Sequence, residues 1–243
     1  KTIISNAARE PEIVDLGNFL IKMGAKITGL GSPNIEIEGV EELKAVEYSI
    51  MSDRIEAGTY VIASLITEGD LKIENVNLED LGVFKSELEA MGVKFEKEGN
   101  LLTVNGDLKA LKAAKIVTMP HPGFPTDMQP QMMLLQALVN GSSSMEETVF
   151  ENRFMHVPEF NRMGTDITIR HGVAQINGGL PLTGAEVMAS DLRAGAALVL
   201  AALVADGETV LNRVYHIDRG YDKLEKKLNA VGAQIERIKL GIV

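Results

Sequence analysis

An internal repeat constrains this chain more than any other feature of its sequence. One short pattern occurs four times: Met23-Gly24-Ala25-Lys26-Ile27, Met91-Gly92-Val93-Lys94-Phe95, Met163-Gly164-Thr165-Asp166-Ile167 and Val231-Gly232-Ala233-Gln234-Ile235. The starts lie 68, 72 and 68 residues apart. Each occurrence follows a stretch of amphipathic helical periodicity. The pattern therefore predicts a helix closed by a glycine, because glycine alone adopts the left-handed turn cheaply, and then a strand.

A second pattern occurs three times, as Ser52-Asp53-Arg54, Thr126-Asp127-Met128 and Ser190-Asp191-Leu192-Arg193. Each precedes a helix of small and aliphatic residues expected to end at Gly69, Gly141 or Gly207. Serine or threonine before aspartate predicts a helix start, since the hydroxyl oxygen can accept a free backbone N–H and the acid suits the helix dipole. Short strands join the two patterns at Ile73-Glu74-Asn75-Val76, Glu147-Thr148-Val149-Phe150 and Val210-Leu211-Asn212-Arg213-Val214. Strand pairs are expected across 94–104, turning at Gly99-Asn100, and across 166–176, turning at His171-Gly172. The unit thus reads helix, strand, helix, strand, strand. Residues 2–48 match only its later part, without the aspartate-bearing helix that should precede them, which suggests either sequence upstream of Lys1 or a natural capping half-repeat.

Residues 194–205, AGAALVLAALVA, are apolar on every side, so that helix should be buried. The helices that end in Met-Gly carry a charged face, as in Lys85-Ser86-Glu87-Leu88-Glu89-Ala90, and should lie outside. The fold class implied is α/β, an inside-out barrel of repeated units with three buried parallel helices and the sheets around them. A length of 243 residues with 45% hydrophobic content is ample for such a core. The net charge of -10 disfavours nucleic acid as a partner. There is no apolar run long enough to span a membrane, no signal-peptide pattern at the first residues and no cysteine for a disulfide framework.

Parallel buried helices converge at their amino ends, where free N–H groups favour an anion. That end would carry Asp53, Arg54, Asp127, Gln129, Asp191 and Arg193. The strand-to-helix turns bring Arg9, Arg153 and Arg219 toward the same neighbourhood, and arginine grips carboxylate or phosphate with a planar fork. Asp127 follows Met119-Pro120-His121-Pro122-Gly123-Phe124-Pro125-Thr126, a stiff approach that suits a rigidly held general base as well as a plain helix start. His121, His156, His171 and His216 are too scattered for a metal site, and no metal is expected.

Six segments carry a resemblance to a known family. They are Asn6-Ala7-Ala8-Arg9-Glu10-Pro11-Glu12-Ile13, Asp53-Arg54-Ile55-Glu56-Ala57-Gly58-Thr59, Phe124-Pro125-Thr126-Asp127-Met128-Gln129, Glu151-Asn152-Arg153-Phe154-Met155-His156, Ser190-Asp191-Leu192-Arg193-Ala194 and Tyr215-His216-Ile217-Asp218-Arg219-Gly220-Tyr221. In this order they resemble the UDP-N-acetylglucosamine 1-carboxyvinyltransferases. The resemblance implies two domains of inside-out α/β units with a cleft between them. Residues 1–48 would be the last unit of the second domain, and 49–243 most of the first. It implies transfer of the enolpyruvyl group of phosphoenolpyruvate to the 3′-hydroxyl of UDP-N-acetylglucosamine through a tetrahedral ketal, with release of phosphate. That is the first committed step of peptidoglycan precursor synthesis, in the cytoplasm, and it needs no cofactor.

By the same resemblance, Asp127 takes the hydroxyl proton or orients the hydroxyl, and Val149 and Phe150 contact the UDP-sugar. Arg193 and Arg219 hold the phosphoenolpyruvate anion, and Arg153 and Asp191 support the site. The family's Lys-Asn pair and its mobile loop with Cys or Asp have no counterpart in residues 1–48. The expectation is that this chain acts together with a missing N-terminal portion and is inactive alone. Two other readings stay open: an enzyme like 5-enolpyruvylshikimate-3-phosphate synthase, and a ligand-binding fragment without turnover.

Overall fold

In the computed structural model, which describes residues 1–238, the four repeat glycines are all left-handed, with φ of 110° at Gly24, 112° at Gly92, 105° at Gly164 and 108° at Gly232. Each closes one outer helix. In the first unit β1 (Thr2–Ser5) leads to α1 (Pro11–Lys22), β2 (Lys26–Thr28) and β3 (Asn34–Glu38). The second unit holds α2 (Arg54–Thr67), β4 (Lys72–Glu74), α3 (Gly82–Met91), β5 (Lys94–Glu98) and β6 (Leu101–Asn105). The third holds β7 (Lys115–Val117), a 3-10 turn (Thr126–Met128), α4 (Gln129–Leu138), β8 (Gly141–Glu146), α5 (Val157–Arg162), β9 (Asp166–Arg170) and β10 (Val173–Gly178). A fourth begins with β11 (Glu186–Met188), α6 (Leu192–Val204), β12 (Val210–Asn212), a second 3-10 turn (Val214–Arg219) and α7 (Leu224–Ala230).

The repeat extends to topology. In the orders β1-β3-β2, β4-β6-β5 and β8-β10-β9, the leading strand pairs antiparallel with the last strand of its own unit. Both expected hairpins form, with Gly99 and His171-Gly172 at their turns in positive φ.

Four local expectations are corrected. The strand of the third unit is β8, not residues 147–150, which leave the sheet after Glu146. Strands β7 and β11 were not foreseen; each is three residues long and pairs parallel with β8 or β12 on the far side of a helix. Such short runs carry no periodicity of their own and exist through a distant partner. Helix α2 ends at Thr67 with Glu68, not Gly69, in the left-handed conformation, and α4 ends on an extended Val139. No strand follows Gly232 within 233–238; instead the Asn229 side chain clamps the Ile235 backbone at 2.7 and 2.8 Å, as Asn161 clamps Ile167 one unit earlier.

Helices α2, α4 and α6 pack on one another at the centre, while α1, α3, α5 and α7 lie outside. Nine residues of α4, from Gln129 to Ala137, are buried, so this helix has no solvent face. Phe84, Phe124, Phe160, Leu88, Leu102 and Ile116 fill the layer between the helices and the sheets. The main cluster draws no residue from the chain before Ile55. Residues 39–53 form no helix or strand, yet they are tied down: Tyr48 donates to the Asp15 carboxylate at 2.8 Å and Lys44 N–H bonds Met23 O at 2.8 Å. No described helix is long and apolar enough to cross a membrane. Residues 239–243, the tail of the expected 49–243 unit, lie outside the described residues.

Candidate active site at the amino ends of the buried helices

The three related aspartates have different tasks. Asp53 Oδ1 accepts from Ile55 N–H at 2.8 Å and Glu56 N–H at 3.0 Å, capping α2. Asp191 Oδ1 accepts from Arg193 N–H and Ala194 N–H, both at 2.9 Å, capping α6. The cap is thus the aspartate and not the serine before it; Ser52 donates instead to Asn75 O at 2.7 Å. Asp127 caps nothing. Helix α4 starts two residues after it, with Pro130 in its first turn removing an N–H that a cap would serve.

Released from the backbone, the Asp127 carboxylate takes two arginines. Arg153 Nη1 donates to Oδ1 at 2.9 Å, and Arg193 donates to Oδ2 from Nε at 3.2 Å and Nη2 at 3.1 Å. Both guanidinium groups are largely buried, with 17% and 12% of their side chains exposed, against 39% for Asp127. Burial pushes the Asp127 carboxyl up, but the two guanidinium charges and their hydrogen bonds outweigh burial and hold it below the usual carboxylate range. In the unliganded protein Asp127 is therefore an ionised anchor whose two oxygens are both in use, not a base poised near neutrality.

Glu147, expected from the sequence to lie in a strand, organises the loop beside Asp127. Its carboxylate accepts from Thr118 Oγ1 at 2.7 Å, Thr126 Oγ1 at 2.9 Å, Val149 N–H at 2.8 Å and Phe150 N–H at 3.0 Å. With Gln129 Nε2 at 3.5 Å, five neutral donors around one carboxylate fix the 147–150 loop against the residue that precedes Asp127. Arg153 closes the circuit: it also donates to Thr126 Oγ1 at 2.9 Å and lies 5.3 Å above the Phe150 ring. Gln129, fully buried, donates to Arg153 O at 2.9 Å.

Thr126, Asp127 and Arg193 open onto a cavity of about 630 Å³, whose wall also includes Asp53 and Arg54 from the start of α2 and Glu12 and Asp15 from α1, while Arg153, Glu147 and Gln129 stand behind it. The convergence expected of parallel helices is present. The wall is of mixed charge, with five carboxylates and two guanidinium groups. Asp53 serves as a cap, Asp15 accepts from Tyr48 and Met51 N–H, and Glu12 pairs with Arg54 at 2.7 Å. Arg9 is used on His121 O at 2.9 Å.

Arg219, Val149 and Phe150 are not on the cavity wall. Arg219 is exposed at the end of its 3-10 turn, and 57% of Phe150 is exposed. Tyr221, two residues after Arg219, also borders the site; its ring centroid lies 5.5 Å from the Arg193 guanidinium carbon. Among the described residues no cluster of three or more His, Asp or Glu side chains could hold a metal ion.

The chain resembles known proteins along nearly its whole length. The family described as EPSP synthase (3-phosphoshikimate 1-carboxyvinyltransferase) matches residues 1–228. UDP-N-acetylglucosamine 1-carboxyvinyltransferase 1 of Caldanaerobacter subterraneus subsp. tengcongensis is 55% identical over 97% of this chain and 57% of its own length. The protein named UDP-N-acetylglucosamine 1-carboxyvinyltransferase in Geotalea daltonii is 52% identical over 98% of this chain and 57% of its own length. The chain thus spans a little over half the length of these relatives. Among solved structures, the enolpyruvyl transferase NikO from Streptomyces tendae superposes with a TM-score of 0.88 at 29% identity, covering 96% of this chain and 56% of that one. EPSP synthase from Acinetobacter baumannii superposes with a TM-score of 0.72 at 20% identity, over 92% of this chain and 55% of that one, and shares the fold.

Proposed function

From the premise that this chain belongs to the EPSP synthase (3-phosphoshikimate 1-carboxyvinyltransferase) family, we propose that it forms part of an enolpyruvyl transferase acting on UDP-N-acetylglucosamine. The observation that carries the reading is the Asp127 carboxylate, shared by Arg153 and Arg193 at the mouth of a cavity on the helix amino ends. Relatives at 49–55% identity bear the name of that activity, which favours UDP-N-acetylglucosamine over shikimate 3-phosphate as acceptor.

In this reading the sugar 3′-hydroxyl oxygen bonds to C2 of phosphoenolpyruvate while C3 gains a proton, giving a tetrahedral ketal. C3 then loses a proton, the C2–O bond to phosphate breaks, and phosphate leaves. Asp127 orients the hydroxyl and takes its proton. Its carboxyl is held low by two arginines, so it becomes a competent base only when one of them turns to the incoming anion. Arg193 makes that exchange, and Arg219 on its exposed turn joins it on the phosphoenolpyruvate anion. Asp191 holds Arg193 in place by capping α6, while Glu147 and Arg153 hold the Val149–Phe150 backbone for the UDP-sugar. No metal or organic cofactor takes part.

Residues 1–48 and 49–243 belong to two domains in this reading. The irregular segment 39–53 and the start of the main core at Ile55 support that division. The acidic share of the cavity wall supports a site completed by cations from further polypeptide, such as the remainder of a relative. The setting is the cytoplasm, at the first committed step of peptidoglycan precursor synthesis.

The test is phosphate release from phosphoenolpyruvate and UDP-N-acetylglucosamine. Residues 1–243 alone are expected to give none, and the same chain mixed with the remaining part of the Caldanaerobacter relative is expected to give turnover that Asp127→Ala abolishes. Turnover by the chain alone would refute the shared-site reading. Competition by shikimate 3-phosphate but not by UDP-N-acetylglucosamine would refute the acceptor.

A further inference from the structure

The turn that carries Arg219 is fastened to the core two residues later. Tyr221 is 1% exposed, and its hydroxyl lies 2.9 Å from Thr59 Oγ1 of α2 and 3.4 Å from Gln131 Nε2 of α4. The direction of these bonds follows from counting protons. Thr59 Oγ1 donates its one proton to Ile55 O at 2.8 Å, so toward Tyr221 it accepts and the phenol donates. Gln131 Nε2 donates to Thr59 Oγ1 at 3.1 Å and to the phenol oxygen. One hydroxyl thereby joins two of the buried helices to the segment after α6. Burial pushes the phenol pKa up, so it keeps the proton this arrangement needs.

Above the same ring sits Arg193, its guanidinium carbon 5.5 Å from the centroid. The fork is thus held by Asp127 at Nε and Nη2, and its charge lies over the Tyr221 ring. The turn itself is clamped on the start of α6: a Cβ on Gly195 would come within 2.7 Å of Ile217, and one on Gly220 within 2.9 Å of Leu192. A phenylalanine would fill this space as well. The hydroxyl therefore adds a defined fastening, and the ring adds a platform for a charge.

We propose that Tyr221 is a positioning residue of the site: its ring aims the Arg193 guanidinium at Asp127, and its hydroxyl fastens that ring and the Arg219-bearing turn to α2 and α4. The proposal rests on the reading of Asp127 and Arg193 as site residues, but its test needs no turnover. Two signals are followed by NMR in the unliganded chain, the Arg193 Nε–H resonance, assigned with Arg193→Lys, and the titration of the Asp127 carboxyl carbon. In Tyr221→Phe the platform stays, so both signals are expected to remain near those of the unmodified protein while thermal stability falls. In Tyr221→Leu the Arg193 resonance is expected to merge with the solvent-exposed arginines, and Asp127 is expected to titrate at higher pH.

A folded Tyr221→Leu protein with both signals unchanged overturns the proposal. If the leucine variant does not fold, Tyr221→Met carries the same test. If neither folds while Tyr221→Phe does, the residue serves the core alone and the proposal fails. Absence of enolpyruvyl transfer by the assembled protein would sink the functional reading and leave these signals as they are.

Discussion

Arg193 holds Oδ2 of Asp127 with two nitrogens, Nε at 3.2 Å and Nη2 at 3.1 Å, across 66 residues of sequence. The contact joins the start of one buried helix to the turn before another. It spends on a side chain the carboxylate that the other two units spend on a helix cap.

Removing that carboxylate leaves two buried guanidinium groups facing one another. Asp127→Ala is expected to cost roughly 1–3 kcal/mol, below the range for a fully buried pair because Asp127 is partly exposed. The sign with pH follows from its depressed pKa. The stabilisation is present above the ordinary carboxylate value and is lost as pH falls through the lowered one. Urea unfolding of the two proteins should therefore differ at neutral pH and converge in acid. Equal stability at pH 7 would show that the pair contributes nothing.

Glu147→Ala removes the common acceptor of Thr118, Thr126 and the Val149 and Phe150 amides, which come from three separate segments. Leaving those groups unpaired is expected to cost about 1–3 kcal/mol, and the Val149 and Phe150 amides should lose hydrogen-exchange protection. Affinity for UDP-N-acetylglucosamine is expected to fall about tenfold or more, since roughly 1.4 kcal/mol of loop ordering must then be supplied by binding. Calorimetric titration that finds unchanged affinity would separate this loop from the nucleotide-sugar site.

His156 is 1% exposed, T-stacked on Phe160 and 3.4 Å from Met133 Sδ. Burial pushes its pKa down to about 4. The unfolded chain binds this proton near pH 6.5 and the folded one near 4, so stability should fall as pH drops through that window. The full effect is roughly 3 kcal/mol by pH 4. His156→Gln should flatten the thermal midpoint between pH 6.5 and 4; an equally steep profile in that variant would assign the acid sensitivity elsewhere.

Gly195→Ala tests how closely the Arg219-bearing turn sits on α6. The added methyl would meet Ile217 Cγ1 at 2.7 Å and Ala189 Cβ at 3.1 Å, inside the core. A cost of about 1–3 kcal/mol is expected from overpacking, despite alanine's better helix propensity. A thermal midpoint equal to or above that of the unmodified protein would show that the turn yields freely.

Some of this protein was decided within a few residues of chain. A glycine at the end of an amphipathic helical stretch supplies the left-handed turn that closes it, so Gly24, Gly92, Gly164 and Gly232 announced the repeat, and apolar residues on every side of 194–205 announced a buried helix. The proline-rich approach set Asp127 apart from Asp53 and Asp191 in the sequence, but local chemistry left it either a held base or a plain helix start, since all three follow Ser or Thr at the head of a helical stretch. That distinction depends on Arg153 and Arg193, and the roles of Glu147 and Tyr221 depend on Thr118, Thr126, Thr59 and Gln131, groups brought near only when the units pack. A cap or a glycine turn is satisfied by neighbours within four residues. A buried charge or hydroxyl takes its partner from whichever helix the core sets beside it, and only the assembled fold decides which one that is.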